Sequence, residues 1–250
     1  MRALALLLLV VPLALVACGG GKSSSSEVKL SPTAYVKQAA HKSSSASSVH
    51  MKLTGSVGVS GQSVILNGAG DFKQHDGSFQ LDFNAGGLSG SVNAVIQGTA
   101  LYVRSPLFSD ALPKGKTWLK LDLTKQAKAQ GLDLTTLAAQ DPAQTLARLA
   151  SLGDVKDLGT EKVGGVDATH YRGIVTKPVA GQKAGPFDVW VGKDDGYVRR
   201  VQFATAAAGS ATRSLITMNL SDFGKDVTVT VPSAAETADA TTLNIPGLGG

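Results

Sequence analysis

A single cysteine serves all 250 residues of the chain, and it stands at position 18, ahead of every segment whose pattern suggests a packed core. Whatever folds downstream has neither an internal disulfide nor a thiolate-rich metal site. Burial alone must hold it. The length beyond Cys18 is ample for one core, or at most two small domains.

The residues before the cysteine explain its position. Met1 and Arg2 make a short basic start, the run from Ala3 to Ala17 is apolar with Pro12 as its punctuation, and Cys18 is followed by three glycines. That order reads as a secretory signal peptide. A membrane span would need roughly 20 apolar residues, and this run is shorter. Leu15, Val16, Ala17 and Cys18 resemble the lipobox of bacterial lipoproteins, in which the cysteine thiol accepts diacylglycerol through a thioether. Cleavage before Cys18 frees an amine for a further acyl chain such as palmitate. Two or three chains meet the requirement that stable anchoring needs more than one. The expected organisation is a signal peptide over 1–17, a lipidated cysteine with a Gly/Ser tether over 18–30, and one folded domain over 31–250. The expected location is the extracytoplasmic face of the cell membrane.

From Gly19 to Ser26 the chain is glycine and serine with one lysine, a composition that buries almost nothing and behaves as a flexible tether. Folded structure is expected from Ser31, a helix cap, with Pro32 at the first helical position. Tyr35, Val36, Ala39 and Ala40 then form an apolar stripe, which the serine-rich run from Ser43 to Ser48 ends or frays.

Beyond that helix the period changes to two. Met51, Leu53, Gly55, Val57 and Val59 alternate with polar or small neighbours, as do Val64, Leu66, Gly68, Gly70 and Phe72. After a turn read at Asp76-Gly77, Phe79, Leu81 and Phe83 alternate again, and so do Val92, Ala94 and Ile96. Such a series predicts an antiparallel meander with one apolar face. Further strands are expected at Ala100 to Arg104 and Trp118 to Asp122, separated by a polar loop from Ser105 to Lys116.

A helical interruption follows. Leu132, Leu134 and Leu137 lie in a short leucine-rich segment, and Asp141 with Pro142 opens a helix whose apolar face is Ala143, Leu146, Ala147, Leu149 and Ala150, stopped by Gly153. Strands resume at Val155 to Lys162, Val166 to Val175, Phe187 to Gly192, Val198 to Thr205, Thr212 to Leu220 and Val227 to Val231. Asp195-Gly196 is a turn within a loop that includes Lys193 and Asp194. The pattern predicts a single α+β domain, with one large curved sheet covered on one side by two helical regions.

Little in the chain suggests catalysis. His41, His50, His75 and His170 show no close metal-ligand spacing, Cys18 is committed to the anchor, and no Gly-x-Ser-x-Gly elbow is present. No catalytic residue, metal or cofactor is expected. The formal charge of +5 comes from basic residues spread along the chain, which disfavours nucleic acid as a partner. Lys114, Lys116, Arg199 and Arg200 are candidates for attracting phosphate-bearing lipid heads, although a surface cation is more often only solubilising.

Several motifs, in order, resemble a known family. They are the lipobox, the strands–helices–strands pattern, Trp118-Leu119-Lys120-Leu121, the segment Gly164-Gly165-Val166-Asp167-Ala168-Thr169-His170-Tyr171, and Phe187-Asp188-Val189-Trp190-Val191 before Asp195-Gly196. Asp222-Phe223-Gly224-Lys225, followed by Val229, Val231 and Pro232, completes the set. Together they are similar to the mycobacterial lipoproteins LppX, LprA, LprF and LprG. That resemblance implies a curved antiparallel half-barrel, like that of the LolA and LolB carriers, with helices over its concave face and a cavity for acyl chains. It implies binding, and possible transfer, of acyl lipids or glycolipids in the cell envelope.

Candidates for the lining of such a cavity are Phe79, Phe83, Val92, Ile96, Leu134, Leu137, Leu146 and Leu149. Taken one at a time, each reads more readily as an ordinary core residue. Glycines expected inside the strands, including Gly68, Gly70, Gly90 and Gly98, either bend the sheet, leave room for a ligand, or punctuate hairpins. The competing expectation is a structural or protein-interaction lipoprotein with a closed core, whose loop from Ser105 to Gly115 contacts an envelope protein.

Overall fold

The computed structural model describes residues 30–59, 62–74, 76–124, 152–175, 186–206 and 213–243, together with Leu146 and Leu149. Helix α1 (Pro32–Ser44) begins where its cap predicts: the Ser31 side chain accepts from the Ala34 amide, and Pro32 opens the first turn. Val36, Ala39 and Ala40 are buried along one stripe, and Tyr35 packs beside them.

After α1 come two meanders. The first is β1 (Val49–Val59), β2 (Gln62–Lys73), β3 (Asp76–Ala85), β4 (Leu88–Gln97), β5 (Ala100–Arg104) and β6 (Trp118–Asp122). The second is β7 (Leu152–Val163), β8 (Val166–Val175), β9 (Pro186–Gly192), β10 (Val198–Ala206) and β11 (Arg213–Ser221). Both lie in one sheet, because β1 pairs antiparallel with β11, Met51 opposite Leu220 and Leu53 opposite Met218. A last short strand, β12 (Thr237–Asp239), runs parallel to β6. The order β12-β6-β5-β4-β3-β2-β1-β11-β10-β9-β8-β7 leaves β12 and β7 at the two edges. The fold is mixed α+β, a large and mainly antiparallel sheet with few helices, not closed into a barrel.

Alternation along the strands sorts their side chains into two faces. One face carries Met51, Phe72, Val189, Val191, Val201, Met218 and Leu220, and the main core forms where α1 and the buried Leu146 and Leu149 pack on it. A second, smaller core lies at the β12 end. There Leu119, Leu121 and Ala240 are covered by Phe108 of the 3-10 turn Pro106–Ala111, by Leu112 that caps it, and by Leu243.

The structure corrects several expectations. Val227 to Val231 forms no strand; the ladder that completes the sheet comes from Thr237–Asp239 instead. Asp76 and Gly77 are paired within β3, opposite Lys73 and Phe72, so the turn precedes them. Gly153 lies inside β7, not at a helix stop. The serine run ends α1 as expected, at Ser44 with Ser45 as the C-cap, although Ser43 is still a buried member of the helix. Of the helical interruption only Leu146 and Leu149 are described, both in helical conformation. The turn at Lys193, Asp194 and Asp195 stands as expected.

Candidate functional site

On the helix-bearing face, one stretch of the sheet belongs to neither core. Register places Leu66 opposite Phe83 and Phe83 opposite Gly90, Leu81 opposite Val92, and Gly77 opposite Ile96, so all of these project to the same side of β2, β3 and β4. Phe79, on the same side, packs against the main core, whereas Leu101 and Val103 on β5 join the smaller one. Leu66, Leu81, Phe83, Val92 and Ile96 lie between the two clusters and are only partly buried. The result is an apolar strip running across three strands. It reaches Leu88, which is 57% exposed at the end of β4.

Glycines shape this strip by giving the phenylalanine rings somewhere to lie. A Cβ on Gly68 would meet Phe79 Cζ at 2.4 Å, one on Gly70 would meet Phe79 Cδ2 at 2.7 Å, and one on Gly90 would meet Phe83 Cζ at 2.7 Å. The rings thus lie across bare backbone, and space that the sequence left open to a ligand is taken at those points by aromatic side chains. Gly98, by contrast, holds a positive φ of 57° in the turn between β4 and β5. Pro106 approaches the Gly90 position within 3.5 Å of a hypothetical Cβ, so the loop after β5 borders the strip beside Phe83. Its neighbour Leu107 is 60% exposed. That loop is a lip with an apolar tip.

The predicted lining residues divide into three groups. Phe83, Val92 and Ile96 lie in the strip, and Phe79 stands at its boundary with the main core. Leu146 and Leu149 are 1% and 0% exposed within that core. Leu134 and Leu137, like Cys18 and its lipobox residues Leu15, Val16 and Ala17, lie outside the described residues. Leu66 and Leu81 were missed. Leu81 alternates in step with Phe79 and Phe83 and could have been found from the sequence, whereas Leu66 joins them only through its pairing opposite Phe83.

Candidate cations are mostly engaged within the fold. Lys116 Nζ donates to the Ala234 carbonyl at 2.9 Å, Arg199 pairs with Asp195, and Arg200 Nε donates to Asn219 Oδ1 at 2.8 Å while lying over Trp190. Two histidines are likewise held by carboxylates, His50 by Asp71 and His170 by Asp188, each at 2.8 Å. Asp188 also receives Arg172 through Nε at 2.8 Å and Nη2 at 3.2 Å, a two-point pairing that raises the Arg172 pKa. Among the described residues no group of three or more His, Cys, Asp or Glu side chains could hold a metal ion.

An open, mainly antiparallel sheet with α1 packed on one face, and an apolar strip lying between two cores, define a mixed α+β class. The chain belongs to the LppX_LprAFG lipoprotein family, which matches residues 31–229. LppX of Mycobacterium tuberculosis superposes with a TM-score of 0.50 at 18% identity, covering 80% of this chain and 98% of that one. LprF from Mycobacterium bovis gives 0.51 at 12% identity, covering 81% and 97%. An uncharacterized 31.2 kDa protein of Streptomyces griseus, encoded between rplA and rplJ, is 28% identical over 246 residues, or 84% of this chain and 80% of its own. The two structural likenesses share the fold. Family membership points to an extracytoplasmic lipoprotein and to a lipid-related binding or transport role in general.

Proposed function

We propose that this lipoprotein holds the acyl chains of a lipid or glycolipid against the strip formed by Leu66, Leu81, Phe83, Val92 and Ile96. In this reading the sheet curves so that its helix-bearing side is concave, and the loop with Leu107 is the lip through which the chains enter. The observation that supports it is the position of these residues on one face between two packed cores and within neither. Burying acyl chain contributes roughly 0.8 kcal/mol per CH₂, so a dozen methylenes supply about 10 kcal/mol before the costs of ordering and association. Retention through purification is within that range. The protein carries no catalytic step in this reading. It works from the outer face of the membrane, tethered by lipid on Cys18.

Two measurements test this. Native mass spectrometry of the chain from Glu27 onward, produced in an actinobacterial envelope, is expected to show added lipid masses that vanish on denaturation. A folded protein that carries none and rejects added acyl lipids overturns the reading. That outcome favours an interaction protein, for which Ile65 and Leu215, exposed on either side of Ser56 on the opposite face, are among the apolar contacts on offer. For the anchor, mass spectrometry of the native N-terminus is expected to find diacylglycerol on Cys18, and Cys18→Ala is expected to abolish it. A mature terminus elsewhere with an unmodified Cys18 removes the assignment.

A further inference from the structure

The face of the sheet turned away from the helices carries a groove of about 370 Å³ that crosses the strands from β1 to β6. This falls at the small end of the range of small-molecule sites. Its position follows from register: His50, Asp71, Ser78 and Val95 stand in one row of paired residues, while Ala69, Gln80, Asn93 and Arg104 stand in the next. Both rows alternate with the residues of the apolar strip and so point the other way. Small side chains at Ala69 and Ser78 lower the floor, and Val95 is buried beneath it. Trp118 and Arg104 form the wall at the β6 end, the guanidinium 4.9 Å from the indole centroid.

The lining has a consistent chemistry. His50 Nδ1 lies 2.8 Å from Asp71 Oδ1; an ionised carboxylate only accepts, so Nδ1 donates to it and Nε2 is left facing other partners. Gln80 donates through Nε2 to Asp82 at 3.3 Å, which leaves its carbonyl oxygen to accept. Among the described residues the side chains of Ser78 and Asn93 make no hydrogen bond, and Arg104 pairs with no carboxylate. Donors and acceptors therefore alternate across a short distance beside one aromatic ring.

A dense set of hydroxyls, each both donor and acceptor, matches such a lining, and the C–H face of a sugar ring matches an indole. Charge decides between neutral and anionic ligands. One fixed cation, Arg104, shares the groove with one carboxylate, Asp71, so a phosphate would meet repulsion as well as attraction. We propose that this groove binds a short neutral glycan. The inference stands apart from acyl binding, since it concerns the opposite face.

The test uses the full-length chain in zwitterionic detergent micelles, titrated with maltotriose, mannotriose and galactobiose and followed by tryptophan fluorescence. Trp118 and Trp190 are the two tryptophans of the chain. At least one probe is expected to give a saturable change that disappears in Trp118→Phe, and Asn93→Ala is expected to weaken it about tenfold, the equivalent of one hydrogen bond lost. Mannose 6-phosphate is expected to bind no more tightly than mannose. Circular dichroism and the midpoint of urea unfolding establish that each variant is folded. Absence of saturation with every neutral probe overturns the proposal, as does an affinity unchanged by Asn93→Ala or tighter binding of the phosphate.

Discussion

Ser43 Oγ accepts the hydrogen of the Val198 amide at 2.8 Å, joining the last turn of α1 to the start of β10 across 155 positions of sequence. Both residues are buried. The bond satisfies a strand-end donor that the β9–β10 ladder, shifted in register between Val198 and Arg200, leaves to another partner. Close by, Lys42 Nζ donates to the Asp195 carbonyl at 2.6 Å and lies over the Tyr197 ring. The helix end and the β9–β10 turn are therefore clamped at two adjacent residues.

Ser43→Ala is expected to leave the Val198 amide unsatisfied and to cost about 1–3 kcal/mol. Urea unfolding gives the value. An unchanged midpoint would mean that water replaces the serine.

The glycines under Phe79 make a sharper prediction. A Cβ at Gly70 would meet the Ser78 carbonyl at 2.3 Å as well as the ring, so Gly70→Ala forces the backbone apart and is expected to cost about 1–3 kcal/mol. At Gly68 the nearest atom is the ring tip, at 2.4 Å. Phe79→Leu should therefore offset part of the cost of Gly68→Ala and little of the cost of Gly70→Ala. A double-mutant cycle in denaturant reads the difference.

Core and strip are separable by mutation. Leu146→Ala is expected to lose about 2–5 kcal/mol, as a fully buried leucine does. Val92→Asp, in the partly exposed strip, is expected to cost about 1 kcal/mol in strand preference while removing the lipid adducts seen by native mass spectrometry. Equal loss of stability in both variants, with adducts retained in Val92→Asp, would place Val92 in the core.

Tyr171 gives a pH dependence. Burial raises its pKa above the ordinary 10.0, with the Asp157 carboxylate adding to the effect. The native state therefore keeps its phenolic proton at pH values where the unfolded chain has lost it. Stability is unaffected below the unfolded value and falls as pH rises through the native one. Unfolding measured from about pH 9 to 11 is expected to show a steeper loss above about pH 10 in the wild type than in Tyr171→Phe. Parallel curves would assign the alkaline loss elsewhere.

What could be read before the structure was mostly local. Ser31 and Pro32 start α1 because a cap and a preset φ are short-range effects, and the two-residue alternation of Phe79, Leu81 and Phe83 is a property of one strand. Val227 to Val231 alternates equally well but finds no neighbouring strand, whereas Thr237–Asp239 has no pattern of note and is a strand because Trp118 to Lys120 offers it a ladder. The serine run ends α1 as its composition suggests, but the burial of Ser43 itself could not be read, because its partner Val198 lies 155 positions along the chain. For the candidate site, alternation found Phe83, Val92 and Ile96. It could not distinguish them from Leu146 and Leu149, since both sets are apolar and only packing separates a filled position from a half-covered one.

The seam between β1 and β11 sets the order in which this sheet is completed. Hairpins within each meander close short loops as they emerge, but the seam joins Met51 to Leu220 and waits for nearly the whole chain. A polypeptide threaded across a membrane from its N-terminus presents β1 with one side unpaired throughout most of its passage. An unpaired strand side of this kind is a template for mispairing. β1 is thus the strand that waits longest for its second neighbour, and until β11 arrives its register rests on the β1–β2 hairpin alone.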